Sequence, residues 1–381
     1  MKLLFSSDYA PNTKNTQRID VKKSLSAVKH IFNTHDFCFT NIEAPVTYSE
    51  GRTIKNGPNL KIEPDDVQPL LDIGVNIIGL ANNHIMDYGV KGLEDTLDFF
   101  KSQSITTIGC GRNLESALSI KYFDKDGIKI ALIALAENEF GIAGIETPGI
   151  APLEVHHNYY QIKEAKENAD VVIVTMHAGN EHYPLPRPNL RKLCHLYIDM
   201  GVDVIVNHHN HITSAFEKYN GSYIYYGMGN FLFNTDNKSE AWNEGFFVSL
   251  TIERIMSREI KITSDIYPYQ QKFNSGVVLL KDSKLDNFKK KINNLNDCLT
   301  CSELFNSRWK DFCSSNRDRY IFSAFFPYKF KGLGKIESIF KLSRLILNSR
   351  AKPVALNMIE CQSHHEVLVS ILKSDMNNES I

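Results

Sequence analysis

Short runs of Val, Ile and Leu punctuate the first two-thirds of the chain and alternate with segments whose apolar residues recur at helical spacing. Leu3–Phe5, Val75–Leu80, Ile128–Leu135, Val171–Met176 and Val202–Val206 read as buried strands, because short, near-continuous apolar runs suit a sheet covered on both faces. Glu63–Ile73, Val90–Ser102, Tyr159–Asn168 and Pro188–Met200 read as helices between them. Strand and helix alternating in this way predict an α/β layered fold with a buried sheet. Phe246–Glu253 and Ile260–Ile266 flank Arg254–Glu259 and predict a hairpin that closes this first unit. Beyond about residue 278 the pattern changes: Lys and Asn become dense over Lys281–Asn296, and the rest reads as irregular helices. The expected division is residues 1–275, then a mainly helical extension over 276–381, with no internal repeat.

Composition alters this picture little. A hydrophobic fraction of 43% over 381 residues allows a large core. A formal net charge of -1 gives no support to general nucleic-acid binding, so no nucleic-acid partner is expected. The N-terminus turns polar by Ser6, too soon for the apolar stretch of a signal peptide. No segment approaches roughly eighteen consecutive apolar residues, so no membrane-spanning helix is expected. The seven cysteines are irregularly scattered and read as reduced thiols. Together these features predict a soluble, cytoplasmic protein.

The chemically rich residues follow the apolar runs. Asp8, the Asn82-Asn83-His84 run, His177 and the His208–His211 cluster each stand just after a predicted strand. Ligands in open α/β folds bind outside such strand ends, so the four clusters predict one site. Hydrolysis at neutral pH is readily done with two metal ions, and carboxylates, imidazoles and an Asn oxygen suit that task. His209 and His211 are two apart and can reach separate ions or share one, with His208 pointing away if the segment is extended. Each cluster taken alone has a plainer reading. The histidine run can be a polar loop, Asn83 or Asp87 can cap the next helix, and a lone His177 can be structural.

In chain order the residues Asp8, Asn41-x-Glu43, Asn83-His84, His177 and His209-x-His211 resemble the calcineurin-like metallophosphoesterase pattern. Four segments are closer to the CapA branch, the poly-gamma-glutamate capsule family. They are Phe39–Val46, Ala81–Gly89, His177-Ala-Gly-Asn-Glu181 and Tyr225–Phe233, and the likeness spans about residues 1–270. The resemblance implies a layered metallophosphoesterase-like β-sandwich flanked by helices. It implies one metal held by Asp8, Glu43 and His211, with Glu43 bridging to a second held by Asn83, His177 and His209. His84 takes the place of a general acid or transition-state donor, and Glu181 and Asn230 are candidates for substrate or supporting contacts. Asn230 is equally open to a reading as a structural turn.

Two departures bear on the metals. The family's Asp-x-His is here Asp8-Tyr9-Ala10, and its bridging acid is Glu43 instead of Asp. One or two ions are therefore expected, with Mn or Zn suited to the mixed donor set. The activity implied is hydrolysis of a phosphoester or amide bond in a capsule or cell-surface polymer or its precursor. The alternative is a non-catalytic accessory role beside capsule-synthesis proteins.

In the extension, Cys298-Leu-Thr-Cys301 has zinc half-site spacing, and Cys361 with His364 could provide the other half. The long separation favours ordinary buried thiols. Tyr328–Lys352 interleaves basic and apolar residues. It reads as a helix packed on the main domain or as an amphipathic helix at the inner membrane face.

Overall fold

The computed structural model describes residues 1–11, 21–55, 57–233, 239–255, 259–272, 276–325 and 351–378. Two large sheets form its layers. The first runs in the order Gly276–Leu279, Ile260–Lys272, Glu244–Arg254, Lys2–Ala10, Phe37–Ile42, Ile77–Gly79, Thr106–Ile108, with Asn230–Phe233 also pairing to Lys2–Ala10. The second runs Phe216–Tyr219, Ser222–Tyr225, Val204–His208, Val171–His177, Ile128–Ala136, Lys121–Lys125. Their central strands are parallel, and the predicted hairpin is present as the antiparallel pair Glu244–Arg254 and Ile260–Lys272.

The period-two rule explains how the layers stack. Along the second sheet, Ile130, Leu132, Ile173, Val204 and Val206 join the core shared with the first sheet. Their alternates Ala131, Ile133, Val172, Val174 and Ile205 join a second core under the helices. Both faces are buried, which is why these strands read as near-continuous apolar runs. The helices Pro64–Asp72, Gly89–Ser102, Val155–Asn168 and Pro188–Asp199 lie close to their predicted positions. Proline opens the first and last of these, where a missing N–H costs nothing.

The extension forms helices Asp282–Thr300, Ser302–Phe325, Ala351–Glu360 and Gln362–Asn378. Phe305, Trp309, Met358, Val367 and Ile371 belong to the same core as Val172 and Leu190, so these helices share their apolar packing with the second sheet. The basic stretch 328–352 lies outside the described residues but for its last two. No described helix is long and apolar enough to cross a membrane.

Candidate metal centre

The ends of strands from both sheets meet at one place. Lys2–Ala10 contributes Asp8, where an irregularity in register against its neighbours re-aims the strand. Glu43 directly follows Phe37–Ile42, its amide donating to the Tyr9 carbonyl at 3.1 Å. Asn83 and His84 follow Ile77–Gly79, and His177 ends Val171–His177. His209 and His211 come just after Val204–His208, and both adopt left-handed backbone, φ 87° and 58°. That conformation is strained for residues with a Cβ and is held here by the surrounding loop. Asn207 Nδ2 donates to the carbonyls of Ala178 and Tyr226, and Asn210 Nδ2 to that of Tyr183. The segment is therefore a curled loop and not an extended run. The His208 ring stacks on Phe39 with centroids 5.8 Å apart, and its Nδ1 is 3.6 Å from Asp8 Oδ1.

The predicted ligands fall into two groups that share one carboxylate. Asp8, Glu43 and His211 place ligand atoms within 4.8 Å of one another, as do Glu43, His177 and His209. Glu43 Oε1 is 3.5 Å from His177 Nε2 and 3.7 Å from His211 Nε2. Asn83 Oδ1 and His209 Nδ1 each stand 3.0 Å from His177 Nε2. Supporting groups fix the orientation. Asn41 Nδ2 donates to Asp8 Oδ1 at 2.7 Å, and Asn230 Oδ1 lies 2.9 Å from His211 Nδ1. Asn230 opens the strand Asn230–Phe233, after Gly229 with φ 78°. A Cβ at Gly229 would lie 2.3 Å from the Glu244 carbonyl, so only glycine fits.

The electrostatics bear on what the cluster could hold. Both Glu43 carboxylate oxygens are buried without a hydrogen-bond partner. Burial pushes this carboxyl well above its usual range, and the nearby Asp8 adds to the effect. Asp8 is also raised by burial, against the pull of His211 and Asn41. Burial holds the His177 ring well below its ordinary value, and the facing histidines push the same way. Burial likewise holds His208 down to about 3. Buried carboxylates beside neutral imidazoles are a costly arrangement unless a cation completes it. Donor types and orphaned oxygens thus fit divalent metal ions. Ala10 is buried where a further histidine ligand was expected from the pattern, so the Asp8 group has three ligating side chains.

A cavity of about 510 Å³ opens beside the cluster, lined by Asn83, His84, Glu139, Glu181 and His209 among others. His84 Nδ1 is 2.7 Å from Asp87 Oδ2, and the buried Lys55 pairs with the other Asp87 oxygen. Burial lowers the His84 pKa, Lys55 lowers it further, and Asp87 opposes both. Glu181 stands exposed at the cavity edge. Sequence reading missed Lys55, Asp87's role as its partner, and Glu139. Glu139 accepts from Asn83 Nδ2 at 2.7 Å and faces His209 Nε2 at 3.8 Å. Its one available signal was its position just after the strand Ile128–Ala136.

Fold and site together define a layered α/β protein with a buried cluster of metal-ligating side chains at the meeting of two sheets. The model of the bacterial capsule synthesis protein family PGA_cap matches residues 3–235, and the chain belongs to that family. It is 35% identical over 225 residues to the PGA biosynthesis protein CapA of Bacillus subtilis, covering 58% of this chain and 59% of that one. It is 31% identical over 208 residues to the capsule biosynthesis protein CapA of Bacillus anthracis, covering 52% and 51%. The chain therefore spans little more than half the length of these relatives. Among solved structures it is similar to a putative 5'-nucleotidase from Staphylococcus aureus in complex with alpha-ketoglutarate. That likeness has 14% identity and a TM-score of 0.46, and covers 77% of this chain and 58% of that one.

Proposed function

We propose that the chain is a metal-dependent hydrolase of a phosphoester or amide bond, serving capsule or cell-surface polymer synthesis. The observation that carries this reading is Glu43: buried, without a hydrogen-bond partner at either oxygen, and shared by two groups of candidate ligating side chains. Asp8, Glu43 and His211 would hold one ion, and Glu43, Asn83, His177 and His209 the second. When bound, the ions supply Lewis-acid stabilisation of negative charge and lower the pKa of attacking water. The chain's own part is positioning and proton transfer. With Asp87 accepting from Nδ1, His84 keeps Nε2 free to exchange a proton with the leaving group. Lys55 and Asp87 hold this ring in place, and Glu181 at the cavity edge is placed to contact substrate.

The capsule context is taken from the family and from the names of the relatives. A second reading, a non-catalytic accessory of a capsule-synthesis assembly, draws on Ala10, where the pattern's additional histidine is absent. Turnover decides between them. The full chain, loaded with Mn²⁺ or Zn²⁺, is assayed on chromogenic phosphomonoesters, phosphodiesters and glutamyl amides, beside Glu43→Gln. Metal-dependent turnover that drops at least about a hundredfold in Glu43→Gln supports the hydrolase. Loaded protein without turnover on any of these substrates moves the accessory role to first place.

A further inference from the structure

The cavity beside the candidate centre has a wall that the family model does not reach. It is built by the helices of the extension, beyond the matched residues 3–235. Behind that wall Cys361, buried at the junction of Ala351–Glu360 and Gln362–Asn378, meets His364 and the Glu139 carboxylate, both of which line the cavity. The three place ligand atoms within 4.8 Å of one another. The Cys298–Cys301 pair suggested by spacing is not part of this group: Cys298 is buried with its thiol on the Asn294 carbonyl, and Cys301 is exposed.

The distances within the group suit a bound cation. Cys361 is fully buried, with Sγ 3.6 Å from Glu139 Oε1. Around a tetrahedral ion with bonds of about 2.0–2.3 Å, adjacent sulfur and oxygen ligands stand roughly 3.5 Å apart. His364 Nδ1 lies 3.2 Å from Asn357 Oδ1, and donation there leaves the Nε2 lone pair free, as in ligating histidines oriented by a second partner. Glu139 is itself anchored, through Oε2 to Asn83 Nδ2.

We propose that Glu139, Cys361 and His364 form a further cation site, taking a thiophilic divalent ion such as Zn²⁺ or Co²⁺. A fourth position would remain for a further ligand. Glu139 links this site to the His209 side of the candidate centre, and the ion fastens the extension over the cavity. Without the ion, Cys361 Sγ lies 2.9 Å from Ser363 Oγ and 3.6 Å from Glu139 Oε1. The site needs none of the hydrolase chemistry, because its sulfur ligand is its own.

The test is a titration of the reduced, metal-free full chain with Co²⁺ alone, followed by the near-ultraviolet absorption of a cobalt–thiolate bond. The Asp8–Glu43 cluster contains no sulfur, so the band reports on a cysteine site only. The expected band saturates near about one equivalent and is absent in Cys361→Ser. In His364→Gln the Co²⁺ affinity falls at least about tenfold. Asp8→Asn keeps the band, which separates this site from the hydrolase reading. The proposal is overturned by no thiolate band in the wild-type chain, or by a band unchanged in Cys361→Ser. Should Cys361→Ser fail to fold, His364→Gln decides, since its half-buried side chain is the milder change. A wild-type band whose affinity that variant leaves unchanged overturns the proposal equally.

Discussion

At the scale of single residues, His84 is set by two opposed neighbours. Burial and Lys55 favour its neutral ring, while Asp87 favours the charged one. If His84 gives its proton to the leaving group, activity falls as pH rises through its pKa. Asp87→Asn removes the favourable carboxylate, so the alkaline limb of the pH–rate profile should move to lower pH. Lys55→Met removes the opposing cation, and the limb should move to higher pH. Profiles of kcat/KM for both variants check this, and shifts of the same sign in the two would contradict it. Legibility at this scale was uneven. Asp8, Asn83, His177, His209 and His211 converge because each stands just beyond a readable apolar run, so position along the chain predicts position in the fold, whereas Glu43 follows Phe37–Ile42, a strand that the apolar pattern did not announce. Glu139 also follows a strand, but its partners Cys361 and His364 lie more than two hundred residues away on helices without a distinctive pattern. No spacing rule connects such residues.

At the scale of elements, the helix Pro188–Asp199 is pinned to the strand Phe216–Tyr219 by a charged network. Arg191 Nε and Nη2 donate to the two Glu217 oxygens at 3.0 and 2.6 Å, and Tyr226 and His195 reach Oε1. Burial pushes the Glu217 carboxyl up, and Arg191, Tyr226 and His195 outweigh it and hold it below the usual range. A carboxyl with a depressed folded pKa stabilises the fold above its unfolded value, about 4.3, and loses that contribution as pH falls through the folded value. Glu217→Gln should therefore cost about 1–3 kcal/mol at pH 7. The gap from wild type should close in strong acid, as urea unfolding at both pH values would show. The short strands of this region, Phe216–Tyr219 and Ser222–Tyr225, escaped sequence reading because each has few residues and their pairing, not their composition, makes them strands. The long hairpin was legible because its two strands run over eleven and thirteen residues.

At the scale of the whole molecule, the extension is part of the architecture that surrounds the site. Arg187, buried, pairs with Glu137 at the end of the strand Ile128–Ala136 and with Glu366 of the last helix, the latter at 2.9 Å. The change in residue character near position 278 announced a new segment, but composition carried no sign that its helices would bury apolar residues in the core of the second sheet. Aromatic side chains such as Trp309 and Phe305 do this, scattered among charges that mask any amphipathic stripe. The two sheets meet with their strand ends around the candidate metal centre.

The most direct test is elemental analysis of the full chain loaded with Mn²⁺ and desalted, set against Glu43→Gln and with circular dichroism to verify folding. Mn²⁺ favours the carboxylate and imidazole donors over the thiol site. The expected result is about one to two Mn per wild-type chain, falling towards none in a folded Glu43→Gln. Wild-type protein that retains no Mn, or a Glu43→Gln variant that retains as much as wild type, would contradict the account.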